Sequence, residues 1–198
     1  MNQVGKGAEA EVFECLFLGE PALCKRRVRK AYRVYELDRR LRGERTRKEA
    51  RVLAAAKQNG VRCPLVKHVD EARNELFISR ISGVLLRNAV SENALEQAGE
   101  QLALLHEAGI VHGDSTTSNF IADDGKRVWL IDFGLADYSS ELEEQATDVL
   151  LFKKSVSEKQ FNAFLGGYSR GNKNAAAVLT RLSGIEKRGR YVVRAMVK

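Results

Sequence analysis

The chain has 198 residues, 44% of them hydrophobic and 30% charged, enough apolar mass for one domain or for two small lobes sharing a cleft. No apolar run approaches the roughly 20 residues that span a bilayer, and the N-terminus is polar, so neither a membrane span nor a signal peptide is expected and a cytoplasmic location follows. The net charge of +7 is segregated: residues 25–51 hold thirteen Lys/Arg against four acids, residues 181–198 hold six against one, and the remainder carries −7. Segregation on this scale points to an anionic partner, with solvated helix faces as the bland alternative. Cys15, Cys24 and Cys63 lack metal-ligand spacing and sit in or beside apolar runs, as reduced core thiols would.

In chain order, Val4-Gly5-Lys6-Gly7-Ala8-Glu9-Ala10-Glu11-Val12 follows the pattern G-x-G-x-x-G-x-V, with Ala10 in place of the third glycine. Such glycines let backbone amides approach phosphates without a Cβ in the way; a simple β-turn reads the same in isolation. Val12 to Leu18 then reads as a strand, Gly19-Glu20-Pro21 as a turn and Ala22 to Lys25 as the next strand. Lys25 thus ends an apolar strand after a Gly turn, the position of a phosphate-binding lysine. Glu44 to Gln58 reads as a helix stopped by Asn59-Gly60. Glu49 shares a face with Val52 and Leu53, which directs it to the cleft as partner of Lys25; Glu36 and Glu44 are the competitors. Leu65–Val69 and Glu75–Ser79 read as a strand pair, and Ser79 to Gly83, with Ser79 and Ile81, as the crossing where backbone groups would meet an adenine edge.

Beyond it, Ser91 caps a helix whose stripe is Leu95, Ala98, Leu102 and Leu105, with His106 ending it. His112-Gly113-Asp114 follows, then Asn119, then the hairpin turn Asp123-Asp124-Gly125, the buried strand Val128–Ile131 and Asp132-Phe133-Gly134. Asp-x-x-x-x-Asn followed by Asp-Phe-Gly is the working centre of protein-kinase-like phosphotransferases. One carboxylate (Asp114) must reach the attacking hydroxyl or water, while an amide oxygen (Asn119) and a second carboxylate (Asp132) hold Mg2+ against ATP phosphates. His112 orients this loop. Only sixteen positions separate Asp132 from Asp148, and no Ala-Pro-Glu follows, which leaves little room for a peptide-docking platform. Gly113 stands where ordinary kinases carry the arginine that reads a phosphorylated activation loop, so that mode of regulation is not expected. Leu142–Lys153, Phe161–Phe164 and Ala175–Leu179 read as helices, with Gly166-Gly167 breaking between the last two. The end, Lys187 to Arg194, is basic with an apolar insert.

These residues resemble one family. Gly7-Ala-Glu-Ala10, the run from Lys25 to Arg33 continuing through Arg45-Thr46 to Glu49-Ala50-Arg51, His112-Gly-Asp114 with Asn119, and a tail centred on Arg188-Gly-Arg190 are similar to the small atypical kinase subunit of the KEOPS/EKC complex, the PRPK family, related to RIO kinases. Ser115, Ser79 and a less basic tail are its departures from that pattern. The resemblance implies an α+β, miniature two-lobed protein-kinase-like fold: residues 1–82 a β-rich N-lobe with one main helix, residues 83–198 a small helical C-lobe. It implies ATP hydrolysis or autophosphorylation with ATP and Mg2+, beside the tRNA threonylcarbamoyl transferase and other KEOPS subunits. In that frame Lys25 holds phosphates, Glu49 orients Lys25, Asp114 is the base, and Asn119 and Asp132 bind the metal. Val4, Gly5, Gly7, Ala8, Glu9, Val12, Ser79 and Ile81 surround the nucleotide. Arg188, Arg190 and Arg194, with the basic N-lobe, meet tRNA. Three other readings stand beside it: a conventional Ser/Thr protein kinase, an aminoglycoside-type phosphotransferase, and a kinase-fold scaffold without turnover.

Overall fold

The computed structural model describes residues 2–7 and 10–196, with side chains except at Lys6 and over 189–196. The N-terminal part is one antiparallel sheet and one long helix. Strands β1 (Asn2–Lys6), β2 (Ala10–Phe17), β3 (Glu20–Arg27), β4 (Val66–Asp70) and β5 (Glu75–Ser79) lie in the order β1-β2-β3-β5-β4. Between β3 and β4 runs α1 (Tyr35–Gln58). The remainder is mostly helical: α2 (Glu92–Glu107), α3 (Leu142–Lys154), α4 (Glu158–Gly171) and α5 (Ala175–Met196). Short strands β6 (Val84–Leu85), β8 (Phe120–Ala122) and β9 (Val128–Leu130) form one small sheet, and β7 (Ile110–Val111) pairs with β10 (Asp137–Tyr138). This is the mixed architecture of a small kinase-like domain.

Three elements differ from the expectation. The β2–β3 turn is the two-residue loop Leu18-Gly19, with φ of 52° and 83°, and not Gly19 to Pro21. Pro21 lies inside β3 opposite Leu16. In a two-residue hairpin the flanking pair, here Phe17 and Glu20, exchanges hydrogen bonds and the next pair does not. Because β5 joins β3 only from Ala22 onward, the missing N–H of Pro21 leaves no ladder bond unmade.

Helix α1 starts at Tyr35, nine residues before the expected Glu44. The fully buried Asp38 explains the early start. Its carboxylate accepts from the Lys30 amide (3.1 Å) and from Arg42 Nε (2.7 Å), folding the preceding loop onto the helix. Gly43 lies within this helix, where a Cβ would press on Asn74 Oδ1 at 3.3 Å.

Gly166-Gly167 does not break a helix. It sits inside α4, where α2 and α4 cross almost backbone to backbone. A Cβ at Gly167 would lie 1.8 Å from the Glu96 carbonyl oxygen, and one at Gly99 of α2 would lie 2.1 Å from the Phe164 carbonyl oxygen. A helix breaker by propensity, Gly167 is a contact residue by packing, as is Gly99.

A continuous apolar core runs from Leu53 and Ala56 of α1 through Leu76 of β5 to Leu102 and Leu105 of α2 and Phe152 and Phe164 beyond. The α1–β4 connection is tied to it: the Arg62 amide donates to Gln101 Oε1 (2.6 Å), and its carbonyl accepts from the Leu130 amide (2.8 Å). The C-terminal end of α1 is therefore held against both halves of the molecule. Cys24 and Cys63 are buried free thiols, and burial lifts each to a pKa of about 11; Cys15 is half-buried.

Gly167→Ala is expected to lower stability by about 1–3 kcal/mol, the usual range for overpacking a close-packed contact. Urea melts of the two proteins check it; an unchanged midpoint would mean that α2 and α4 separate at no cost.

Candidate active site

Strand β3 places Lys25 and Arg27 two residues apart, and the period of two along a strand aims both side chains at the same face. Both meet Glu49, which α1 presents from its buried side. Lys25 Nζ donates to Glu49 Oε1 (2.6 Å) and Arg27 Nη2 to Glu49 Oε2 (2.7 Å), with Lys25, Arg27 and Glu49 respectively 9%, 4% and 3% exposed. Lys25 Nζ also donates to Asp132 Oδ1 (2.7 Å). Burial opposes the charge on Lys25, but Glu49 and Asp132 outweigh it and hold its ammonium above the ordinary lysine range. Asp132 is lowered in turn: burial works against its carboxylate, and Lys25 together with the Gly134 amide overcomes that.

Asp132 adopts φ 59°, in the left-handed region. Aspartate tolerates it because its own carboxylate can bond the backbone two residues on, and Oδ1 accepts from the Gly134 amide at 3.2 Å. A Cβ at Gly134 would meet Asp132 Oδ1 and Lys25 Nζ, each at 3.1 Å. The glycine thus leaves room for the ion cluster.

Opposite lies the loop carrying Asp114. Asn119 Nδ2 donates to both the carbonyl (2.7 Å) and Oδ2 (2.8 Å) of Asp114. Two acceptors at those positions require the NH2 side of the amide, so Oδ1 turns away from Asp114. Gly113 has φ 77°, and a Cβ on it would strike the Leu135 carbonyl at 2.8 Å, so the segment after Gly134 passes directly over it. His112 Nε2 donates to the Ile131 carbonyl (3.0 Å), and its Nδ1 accepts from the Asp114 amide (3.3 Å), joining the two loops.

Beneath this loop is a residue to which sequence reasoning gave no role. Asp148, on α3 and 1% exposed, accepts from the amides of His112 (2.6 Å) and Gly113 (2.8 Å) and from His106 Nε2 (3.1 Å). His106 Nδ1 accepts from the Tyr168 hydroxyl (2.8 Å), which itself accepts from Asn172 Nδ2 (3.0 Å). His106 is therefore more than a helix-ending residue. It is one link in a buried polar chain from α4 to the Asp114 loop. Burial raises the Tyr168 hydroxyl. An acid alone between the apolar residues Ala146, Val149 and Phe152 of α3 was the available signal.

Two adjoining cavities meet at these residues. One, of about 180 Å³, has apolar walls including Val12, Leu23, Leu53 and Ile78, and reaches Ser79 and Ile81. The other is open and more polar than the first, bordered by Gly5, Gly7, Arg27, Asp114 and Gly134. Val12, Lys25, Asn119 and Asp132 line both. Val4 lines neither and is exposed, while Ala8 and Glu9 lie outside the described residues. The Ser79 hydroxyl accepts from the Leu65 amide (2.8 Å). Arg188 pairs with Glu143, and the side chains of Arg190 and Arg194 lie outside the described residues. The reading of Arg27 as one basic residue among many missed its place, although its i, i+2 relation to Lys25 signalled it.

Residues 24–151 match the RIO domain family. The chain belongs to that family. Among relatives of this RIO domain, a "Probable bifunctional tRNA threonylcarbamoyladenosine biosynthesis protein" of Methanospirillum hungatei is 43% identical, covering 94% of this chain and 36% of that protein. Proteins of the same name from Methanoculleus marisnigri (42% identical) and Methanobrevibacter smithii (36% identical) cover 96% of this chain and 36% and 37% of their own length. The RIO domain chain thus spans little more than a third of these relatives. No described helix is long and apolar enough to cross a membrane.

Burial opposes the negative charge of Asp148, but His106 and the His112 amide outweigh it and lower its pKa. A depressed carboxylate stabilises the fold above its ordinary pKa of roughly 4, and that contribution disappears as pH falls through the lower folded value. Asp148→Asn should therefore cost about 1–3 kcal/mol near pH 7 and flatten the loss of stability on acidification. Urea melts over a pH series measure both, and two superimposed pH curves would refute the role given to Asp148.

Proposed function

We propose that this RIO domain is a Mg2+-ATP-dependent phosphotransferase and ATPase whose cleft lies between an N-lobe of residues 1–82 and a C-lobe of residues 83–198. The observation that carries the reading is the cluster Lys25–Glu49–Asp132 facing Asp114–Asn119 across the junction of an apolar and a polar cavity. The apolar cavity suits a purine base and the polar one its phosphates. Lys25, with its charge secured by two carboxylates, is suited to hold phosphate oxygens, and Asp114 to accept the proton of an attacking hydroxyl or water.

The donor set also fits magnesium. No group of three His, Cys, Asp or Glu able to hold a metal exists among the described residues, as an all-protein cage would require. Mg2+ retains waters and takes substrate phosphates, so the Asp132 carboxylate and Asn119 Oδ1, both hard oxygen donors, suffice to hold it. Bound there, the ion would neutralise phosphate charge.

The short segment after Gly134 favours ATP turnover over recognition of a peptide acceptor. Lys48 Nζ pairs with Asp137 Oδ2 (2.6 Å), and the Tyr138 hydroxyl donates to the Arg51 carbonyl (3.3 Å), so the segment is tied along α1. Asp132→Ala should abolish Mg2+-dependent turnover. Asp114→Ala should keep nucleotide binding within about threefold and stop chemistry, because ligand and base are different residues. Nucleotide titration with phosphate release tests both, and full turnover in either variant sinks the assignment. Nucleotide binding without turnover in the wild type would favour the scaffold reading.

The names of the relatives support a place for this chain beside a tRNA threonylcarbamoyl transferase, as a KEOPS-type subunit acting on tRNA in the cytoplasm. Exposed arginines of α1, such as Arg39 and Arg40, and the basic end of α5 are the surfaces we assign to the RNA. Arg188 and Arg181 both pair with Glu143. Such exposed pairs are weak and exchangeable against phosphate. Replacing Arg188, Arg190 and Arg194 by Ala should weaken tRNA binding and reduce the slope of log affinity against log salt by about 0.7–0.9 for each phosphate no longer neutralised. A well-folded variant with an unchanged slope would remove the tail from the interface.

A further inference from the structure

Arg27 is a charged residue of the cleft with no part in the mechanism above. It closes β3, opposite Ala10 at the start of β2, and borders the polar cavity together with Gly5, Gly7 and Lys25. Its side chain is 4% exposed, and Nη2 holds Glu49 Oε2 at 2.7 Å, while Lys25 holds the other oxygen of the same carboxylate at 2.6 Å. One glutamate therefore carries two cations, side by side on one face of one strand.

Charge decides what the second cation is for. Among the described residues that border the polar cavity, Lys25, Arg87, Asp114 and Asp132 sum to zero. Arg27 makes that lining net positive, which suits a cavity that receives a polyphosphate. A guanidinium keeps its charge in any protein environment and is weakly hydrated, which suits it to a buried anion site better than an ammonium.

We propose that Arg27 is a second phosphate-recognising cation beside Lys25, and that Glu49 positions both. This rests on the nucleotide reading of the cleft and deepens it. Recognition of the phosphates, though not of the base, then depends on Arg27. Glu49 also takes on a wider role than orienting one lysine, since its loss releases two cations from the cavity wall.

The test compares ATP with adenosine, which shares the base and lacks the phosphates, binding to the full chain. Arg27→Gln should weaken ATP by about tenfold to a hundredfold, the worth of one charge-assisted contact, and leave adenosine within about twofold. Arg27→Lys, which keeps the charge but loses the forked guanidinium, should recover only part of the loss. Should Arg27→Gln melt below the assay temperature, Arg27→Lys carries the test by itself: a loss of ATP affinity with adenosine unchanged supports the proposal, and no loss of ATP affinity overturns it. Equal losses of ATP and adenosine affinity in a folded Arg27 variant, or no loss of ATP affinity in Arg27→Gln, overturn it. A wild-type chain that binds adenosine but no ATP overturns the phosphate reading of the cavity along with it. Wild-type ATP binding with an unaffected Arg27→Gln overturns the role of Arg27 alone.

Discussion

The carboxylate of Glu49, almost fully buried between Lys25 and Arg27, is the interaction on which the rest of this molecule depends. Removing one partner of a buried ion pair costs about 3–5 kcal/mol, because the charge left behind has neither water nor a counterion. That penalty locks the position of α1 to that of β3. Asp132 extends the lock to the loop beyond β9, through Lys25. Sheet, long helix and helical half are thus registered against one another by four charged groups, of which Lys25, Arg27 and Glu49 are buried and Asp132 faces the open cleft. Lys48–Asp137, from the middle of α1, and the Arg62 contacts, just past its C-terminus, reinforce the same registration.

Asp148 does for the Asp114 loop what Glu49 does for the cation pair. A short loop that must point a carboxylate into a cleft cannot satisfy all its own amides. The His112 and Gly113 N–H groups face inward, and an ionised buried acid supplies the acceptors they need. Desolvation of that acid is offset by His106, which is oriented by Tyr168 and Asn172. The geometry of the loop therefore depends on α3 and α4, two helices that contribute no residue to either cavity.

Close packing makes this arrangement possible. Gly99 and Gly167 let α2 and α4 approach until carbonyls nearly touch the opposing backbone. That approach brings Tyr168 within hydrogen-bond distance of His106. Gly113 and Gly134 serve the same end at the cleft, one beneath the segment after Gly134 and the other beside the Lys25–Asp132 pair. In each case the absence of a side chain is what lets a charged or polar group be reached.

What the sequence by itself determined is the set of groups whose chemistry shows in their spacing. Strand periodicity and the Gly turn marked Lys25, helix periodicity marked Glu49 over its competitors, and Asp114, Asn119 and Asp132 stood at intervals that suit one metal-phosphate site. The strands around them were legible because their apolar runs are short and bounded by turn residues. Only the tertiary structure decided the rest. Gly166-Gly167 reads as a break because helix propensity is local, whereas the closeness of α2 to α4 is not. The start of α1 depended on Asp38 finding Lys30 and Arg42, and Asp148 and Tyr168 acquired their roles from partners dozens of residues away. Arg27 differs in kind: its alternation with Lys25 was visible along the strand. Apart from Lys25, the twelve basic residues in that stretch looked alike in sequence, and burial against Glu49 set this one apart.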